Sequence, residues 1–582
     1  MEDFNLGTYS RPINTSNPSA QAWFNRGLLW SYGFNHEAAV QCFRYAIRNN
    51  SNCLMAYWGL AYALGPNYNK PWEIFDKEEL ERNLREARAA IGSAKQQSAA
   101  VERPGVEAAL VDAVGWRYQE SDGSGQVDRS RWNVDYAKAM EDVYHRFSDD
   151  LDVAALYADA LMNLTPWSLW DLKTGEPTAG SRTLEAKDVL DRAMGRPGGS
   201  EHPGLLHLYI HLMEMSSSPE TALPAADALR DLVPDAGHLH HMPTHIDVLC
   251  GDYAQVVTSN SRAIAADSRW VKREGALNFY SLYRAHNYHF KIYGAMFAGM
   301  SRVALETAAE LEDAISDALL RIESPPMADW LEAFLTMRLH VLVRFGRWED
   351  ILALELPEDK ELYCVTIAMA HYARGIASAN TSNQSSASDE LASFLSAVEN
   401  VPESRTLFNN TAQSLLTVAQ SMLEGEISYH QGVSQGNKEL IETAFTHLTH
   451  SMHLSDTLPY DEPWGWMTPP RHAYGALLLD QNRVEEAMAV YKADLGLDET
   501  LPRALRHPKN IWALSGLKEC LVKLGREEEA NGLEEQVKEA GWEADVEVRA
   551  SCYCRKGNAR VEIEGGVEVQ PWRFNKAKRK DG

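Results

Sequence analysis

The sequence predicts an all-α protein, an irregular superhelical array of stacked helix pairs, and three observations predict it. Apolar residues recur at spacings of three and four, as in "SAQAWFNRGLLWSYGFNHEAAVQCFRYAIRNN" and "EEAMAVYKADLG", the period of a helix with one buried face. Strand-like alternation is scarce, and "RVEIEGGVEVQPW", residues 560–572, is the best candidate for a small hairpin in a short C-terminal extension. A phrase also recurs along the chain: Gly, later Ala, a large residue about four positions on, then Ala again, the mark of a repeat architecture.

The bulk numbers bound the function. A chain of 582 residues exceeds one ordinary core, so several domains or one long array is expected. Hydrophobic residues at 45% and charged ones at 24% describe a soluble globular composition, and a net charge of -26 argues against nucleic-acid and membrane-surface partners. The basic tail "RFNKAKRKDG" reads as a solvated end. The N-terminus carries no basic and apolar leader pattern and no run of about 18 apolar residues occurs, so a cytoplasmic location is expected. The seven cysteines make no disulfide framework. Cys552 and Cys554 form a C-x-C that could bind a soft metal or act as a redox pair, but with no second such motif they read as incidental thiols.

Taken in order, the helix pairs share a frame that resembles the tetratricopeptide repeat, a 34-residue helix-turn-helix unit with small residues at positions eight, twenty and twenty-seven and a bulky one at twenty-four. In the first copy Gly27, Ala39, Phe43 and Ala46 fall on those positions, with Trp23 at the fourth. "RHAYGALLLDQNRVEEAMAVYKADLG" supplies Gly475, Ala487 and Tyr491 but has Asp494 where Ala is expected; "LKECLVKLGREEEANGLEE" supplies Gly525 and Ala530. Copies near "RFGRWEDILALEL" and "FAGMSRVALETAAEL" are weaker. Such pairs bury their apolar faces only by stacking, and the resemblance implies a groove that binds something, a protein partner included. Gly-, Ser- and Pro-rich connectors, "YQESDGSGQVDRS", "LKTGEPTAGSRT", "GRPGGSEHPG" and "SANTSNQSSASDE", suggest helical segments 1–100, 101–200, 201–345 and 346–550, the last with a low-complexity linker near 376–390, and an extension 551–582.

Histidine is concentrated in one place. An even spread of the 19 histidines would put about three in the window 202–289; nine are there. His207 and His211 form H-x-x-x-H, His241 and His245 form another, and 34 residues separate the pairs. Residues at i and i+4 share a helical face with Cβ atoms about 5–6 Å apart, close enough to grip one ion. With Ala222 and Val256 at the twentieth position, His207 and His241 take position five, His211 and His245 position nine, and Glu214 position twelve, while His286 and His289 take positions two and five of the next unit. In the tetratricopeptide family those positions face the concave groove, which implies convergence. The alternative for any one of these imidazoles is a structural hydrogen bond.

The phrases "HPGLLHLYIHLME", "GHLHHMPTHID" and "HNYHF" resemble, more specifically, a family of microbial tetratricopeptide-repeat proteins whose signature reads HPGxxHxYIHxxE, GHLxHMPxHI and HNxHF. The likeness runs from about residue 20 to 555 and matches at His202, His207, His211, Glu214, His238, His241, His245, His286 and His289, with His240 at a variable position. It implies a site rather than a reaction. The expected metal ligands are His207, His211, His241, His245, His286 and His289. Glu214, His202 and His238 are expected in catalytic or supporting roles. His36, Trp167, Tyr283 and Arg284 are expected on the substrate, although capping of a helix by His36 and packing by Trp167 are the plainer readings. Trp464, Trp466 and Arg471 lie in a second aromatic loop, and "THLTHSMH" (His447, His450, His453) reads as a solvated face.

Histidine-dominated ligation suits copper, iron and zinc; one or two ions are expected, copper favoured. No nucleotide-binding glycine loop, G-x-S-x-G or H-E-x-x-H occurs. The leading expectation is a metal-dependent oxidoreductase using dioxygen on a small organic molecule. A metal-dependent hydrolase or lyase on the same ligands is the second, and a non-catalytic peptide-binding scaffold the third.

Overall fold

The computed structural model describes residues 3–98, 105–120, 128–555, 569 and 572–574. Among the described residues the chain is helical apart from one two-residue ladder, Thr406–Leu407 against Asn410–Thr411 with Thr406 opposite Thr411, and two isolated bridges, Asn67 with Lys70 and Trp170 with Pro177. That ladder was not foreseen; the expected hairpin at 560–572 falls almost entirely outside the described residues, as does most of the connector "YQESDGSGQVDRS".

The chain divides into two compact units, the first comprising Met1–Ile246 and Arg262–Gly275, the second Asp247–Ser261 and Ala276–Gly582. In the first, helices Pro18–Tyr32 and His36–Asn49 form the pair read from the first repeat copy. Asn17 caps the former by accepting from the N–H groups of Ser19 and Ala20, with Pro18 at the first helical position; Asn35 caps the latter. The repeat's small residues are required by sterics: a Cβ on Gly27 would lie 2.6 Å from the Phe43 ring, and one on Gly59, in helix Leu54–Ala63, 2.3 Å.

The second unit repeats the device. Helices Pro470–Asp480 and Val484–Leu495 pack so that Tyr491 closes on Gly475 and, in helix Ile511–Lys523, on Gly516, where added Cβ atoms would lie 2.6 and 2.4 Å from its ring. Asp494, at the position where Ala is usual, is fully buried and accepts from His472 Nε2 (2.9 Å), His507 Nδ1 (2.9 Å) and Asn510 Nδ2 (3.0 Å), so the departure is a buried polar knot. The turn glycines Gly299, Gly346 and Gly525 all take positive φ.

The segment near 376–390, expected as a linker, is helical. Helix Cys364–Asn380 gives way to helix Gln384–Val398 across a turn at Thr381–Asn383, where the Asn383 side chain accepts from Ser386 N and so caps the second helix. Among the described residues no helix is long and apolar enough to cross a membrane.

Candidate metal centre

Three short helices of the first unit carry the histidines. Helix Pro203–Met213 starts with Pro203 at its first position and His202 as its cap. Gly204 lets it come against Tyr32, since a Cβ there would lie 2.6 Å from that ring. This approach sets His207 Nδ1 2.6 Å from the Tyr32 carbonyl oxygen. The second histidine phrase is not one helix, as its repeat register suggested, but two, Gly237–His241 and Pro243–Cys250, parted at Met242 because Pro243 interrupts the ladder. His241 and His245 still meet, with their Nε2 atoms 2.8 Å apart.

Around these helices the imidazoles form one buried cluster. The rings of His207 and His211 are 4.9 Å apart, His207 and His238 5.0 Å, His238 and His241 5.7 Å, and His211 and His245 5.5 Å. Ring nitrogens of His207, His211 and His238 lie within 4.8 Å of one another, as do ligand atoms of His211, Glu214 and His245. Glu214 ties the two sets together: Oε1 accepts from His211 Nδ1 at 3.1 Å and Oε2 from His245 Nδ1 at 2.7 Å.

The hydrogen bonds fix the tautomers. With Nδ1–H of His207 donating to the Tyr32 carbonyl and Nδ1–H of His211 donating to Glu214, the lone pair of each ring sits on Nε2, and neither Nε2 has a hydrogen-bond partner among the described residues. Burial holds both rings neutral, His207 well below the ordinary imidazole range and His211 down to about 3. Burial pushes the Glu214 carboxyl up. Such a set of neutral donors around a buried carboxyl is of the type that holds a metal cation.

Other expected site residues sort themselves by their partners. Trp167 stands with its ring edge-on to His211 at 5.9 Å and 5.3 Å from Tyr68, walling the cluster. His202 is occupied at both nitrogens, Nδ1 accepting from Leu205 N at 3.1 Å and Nε2 3.2 Å from Asp152 Oδ1, so it caps a helix. His36 is not the cap of its helix, since Asn35 is; its ring lies 6.1 Å from that of Tyr62, and burial together with Arg117 pushes it down to about 3. His240 points away, to the Pro234 carbonyl at 2.8 Å.

His286 and His289 belong to the second unit, on helix Ser281–Phe297. The His286 ring lies 4.6 Å from Phe408, and His289 Nε2 lies 2.9 Å from Met467 Sδ. On the same helix Arg284 donates to Ser281 Oγ at 3.2 Å and Tyr283 packs on Tyr280 at 5.5 Å. Trp466 packs on His340 and Tyr372, Arg471 pairs with Asp456, and His450 and His453 are exposed.

Sequence reasoning missed two aromatic residues of the cluster. Phe34, in the turn between the first two helices with φ of 54°, lies 4.4 Å from the His207 ring, 5.8 Å from His211 and 5.5 Å from His238. Tyr68 lies 4.9 Å from the His211 ring, with its hydroxyl buried. A signal existed for Phe34, a bulky residue inside "YGFNHEA" where the chain must turn; none existed for Tyr68. A small enclosed cavity of about 10 Å³, room for one water, lies beside His207 and is lined by Phe34, Tyr62 and Asp159 among others.

No protein-family model matches the chain. No curated protein matches it either. Among solved structures it is similar to yeast Tom70, at 11% identity over 90% of this chain and 93% of that one with a TM-score of 0.23. It is also similar to the APC/C hetero-tetramer Cut9–Hcn1, at 11% identity over 91% and 96% with a TM-score of 0.25, and to Naa15/Naa10 bound to HypK-THB, at 12% identity over 90% and 74% with a TM-score of 0.20. Overlaps this low add nothing to the fold, which rests on the helix order and the glycine–aromatic packing described above.

Proposed function

We propose that this protein is a metal-dependent enzyme whose centre lies in the first unit, with His207, His211 and His238 as ligands and with His241, His245 and Glu214 continuing the donor set. One observation carries the reading: two buried Nε2 lone pairs without hydrogen-bond partners converge with a third imidazole, while the far side of each of the two rings is held by an acceptor. Buried polar atoms are rarely left unmatched, and an acceptor behind each ring is how proteins orient imidazoles towards a metal. Donors dominated by imidazole favour copper, with iron or zinc as alternatives, and the link through Glu214 allows one ion or two. The reading rests on the first unit alone; His286 and His289 are not needed for it.

An oxygen-using oxidoreductase acting on a small organic molecule is preferred to a hydrolase or lyase, because imidazoles dominate the donor set and the Glu214 oxygens orient two of them. In this reading Glu214 orients ligands, Phe34, Tyr68 and Trp167 exclude water, and copper or iron would supply the one-electron chemistry. A peptide-binding scaffold would not require unmatched neutral imidazoles.

Elemental analysis of the protein purified without an affinity tag tests the reading. At least about one equivalent of copper, iron or zinc is expected per chain, lost in His207→Ala/His211→Ala and retained in His240→Ala. A wild-type chain that neither carries a stoichiometric metal nor acquires one on reconstitution ends the proposal. Oxygen uptake with phenols or amines then separates oxidation from hydrolysis.

A further inference from the structure

The geometry points to a second, independent metal site in the second unit: Cys552, Cys554 and Glu426 form a soft-metal site that opens when the two cysteines are reduced and closes when they are joined.

The C-x-C segment is held in a fixed place. Ser551 Oγ donates to the His472 carbonyl at 2.7 Å and meets the Tyr491 hydroxyl at 2.6 Å. Tyr553 packs against Gly346, where a Cβ would lie 2.8 Å from its own, and Arg555 pairs with Glu519 at 2.8 Å. Between these anchors Cys552 and Cys554 are disulfide-bonded, with Cys554 buried.

Glu426 reaches the same spot from helix Ala412–Gln435, a carboxylate oxygen and the two sulfurs all lying within 4.8 Å of one another. The carboxyl is 2% exposed and makes no ion pair with Lys or Arg among the described residues. Its hydrogen bond is from the neutral amide of Asn380, at 2.8 Å. Burial pushes it up to about 7. A carboxyl placed beside two sulfurs without a cation is a poor structural choice and a good metal ligand. Thiolates select Zn(II) or Cu(I), and two sulfurs on one tetrahedral zinc sit about 3.7 Å apart, within the reach of this set.

The chemistry balances. A dithiol reductant breaks the Cys552–Cys554 bond by exchange, giving up two electrons and two protons, so that two cysteine thiols form and the reductant leaves as its own disulfide. Zinc binding then releases to solvent the two thiol protons, and that of Glu426 in molecules whose carboxyl carries one, and forms two Zn–S bonds and one bond to the Glu426 carboxylate, with water at the fourth position. Exchange with a small-molecule disulfide takes the two electrons, re-forms the Cys552–Cys554 bond, leaves that disulfide as two thiols with protons from solvent, and so removes both sulfur ligands and releases the ion.

Cadmium titration of the reduced full-length protein, followed through the ultraviolet thiolate-to-cadmium charge-transfer band, tests this without interference from imidazole ligands. The expected result is a band saturating at one equivalent, absent from the oxidised protein and from reduced Cys552→Ser/Cys554→Ser, and retained in His207→Ala/His211→Ala. Zinc should shield Cys552 and Cys554 from alkylation. Glu426→Gln, which leaves the thiols in place should the double variant fail to fold, should keep the band and weaken affinity by tenfold or more. A reduced wild-type band no larger than that of the double variant, or an unchanged affinity in Glu426→Gln, overturns the site.

Discussion

His202 and His211 lie nine residues apart in one histidine phrase, and their hydrogen bonds give them opposite fates. The first spends both nitrogens on a helix cap and on Asp152; the second gives Nδ1–H to Glu214 and leaves Nε2 unmatched. The types and spacings were legible, because an i, i+4 pair needs only a helix, whereas the difference was not, since Asp152 arrives from a helix some fifty residues earlier. Metal affinity should therefore fall by about 10–100-fold in Glu214→Gln with stoichiometry intact, as for other residues that orient ligands. His202→Asn, which keeps a capping oxygen, should leave affinity unchanged; isothermal titration of the metal-free protein reads both. Acid should also tell. His340, buried against Trp466, is pushed down to about 3 by burial. The unfolded chain takes up that proton below about pH 6.5 and the folded one does not, so stability is lost as pH falls from about 6.5 towards 3. By pH 4.5 this one ring should cost about 2–3 kcal/mol, and His340→Phe should remove that share of the loss, measured by urea unfolding at pH 7 and pH 4.5.

At the scale of the element, the repeated unit is a ring wedged between two glycines. Phe43 occupies the space at Gly27 and Gly59, and Tyr491 the space at Gly475 and Gly516. Replacing Gly59 by Ala within a helix would ordinarily gain about 1 kcal/mol in helix propensity. Here the added Cβ would lie 2.3 Å from the Phe43 ring, and overpacking of a close-packed core costs about 1–3 kcal/mol. Gly59→Ala should thus destabilise the first unit, and Phe43→Leu should relieve part of that loss in the double variant; a stabilised Gly59→Ala, read by chemical denaturation, would contradict the wedge. The helix pairs were legible because glycine and aromatic positions recur, and the linker near 376–390 was misread for a related reason. Its Ser and Asn composition resembles a connector, yet Asn383 caps a helix and Ala387 and Phe394 give that helix a buried face. Composition conceals such a face when most of the other residues are small and polar.

At the scale of the whole molecule, a metal centre confined to the first of the two compact units predicts a stabilisation confined to that unit. An ion bound to the native first unit and not to its unfolded form adds RT ln(1 + [L]/Kd) to that unit, about 2.7 kcal/mol at a free metal concentration of a hundred times Kd. For a unit of about 250 residues, each kcal/mol moves the midpoint by about 2–4 °C, so a rise of roughly 5–10 °C is expected. Calorimetry of the metal-free and reconstituted protein should resolve two transitions, one moving by this amount and one staying. His207→Ala/His211→Ala should abolish the movement while leaving the second transition where it was. Two transitions that rise together would contradict a centre confined to the first unit.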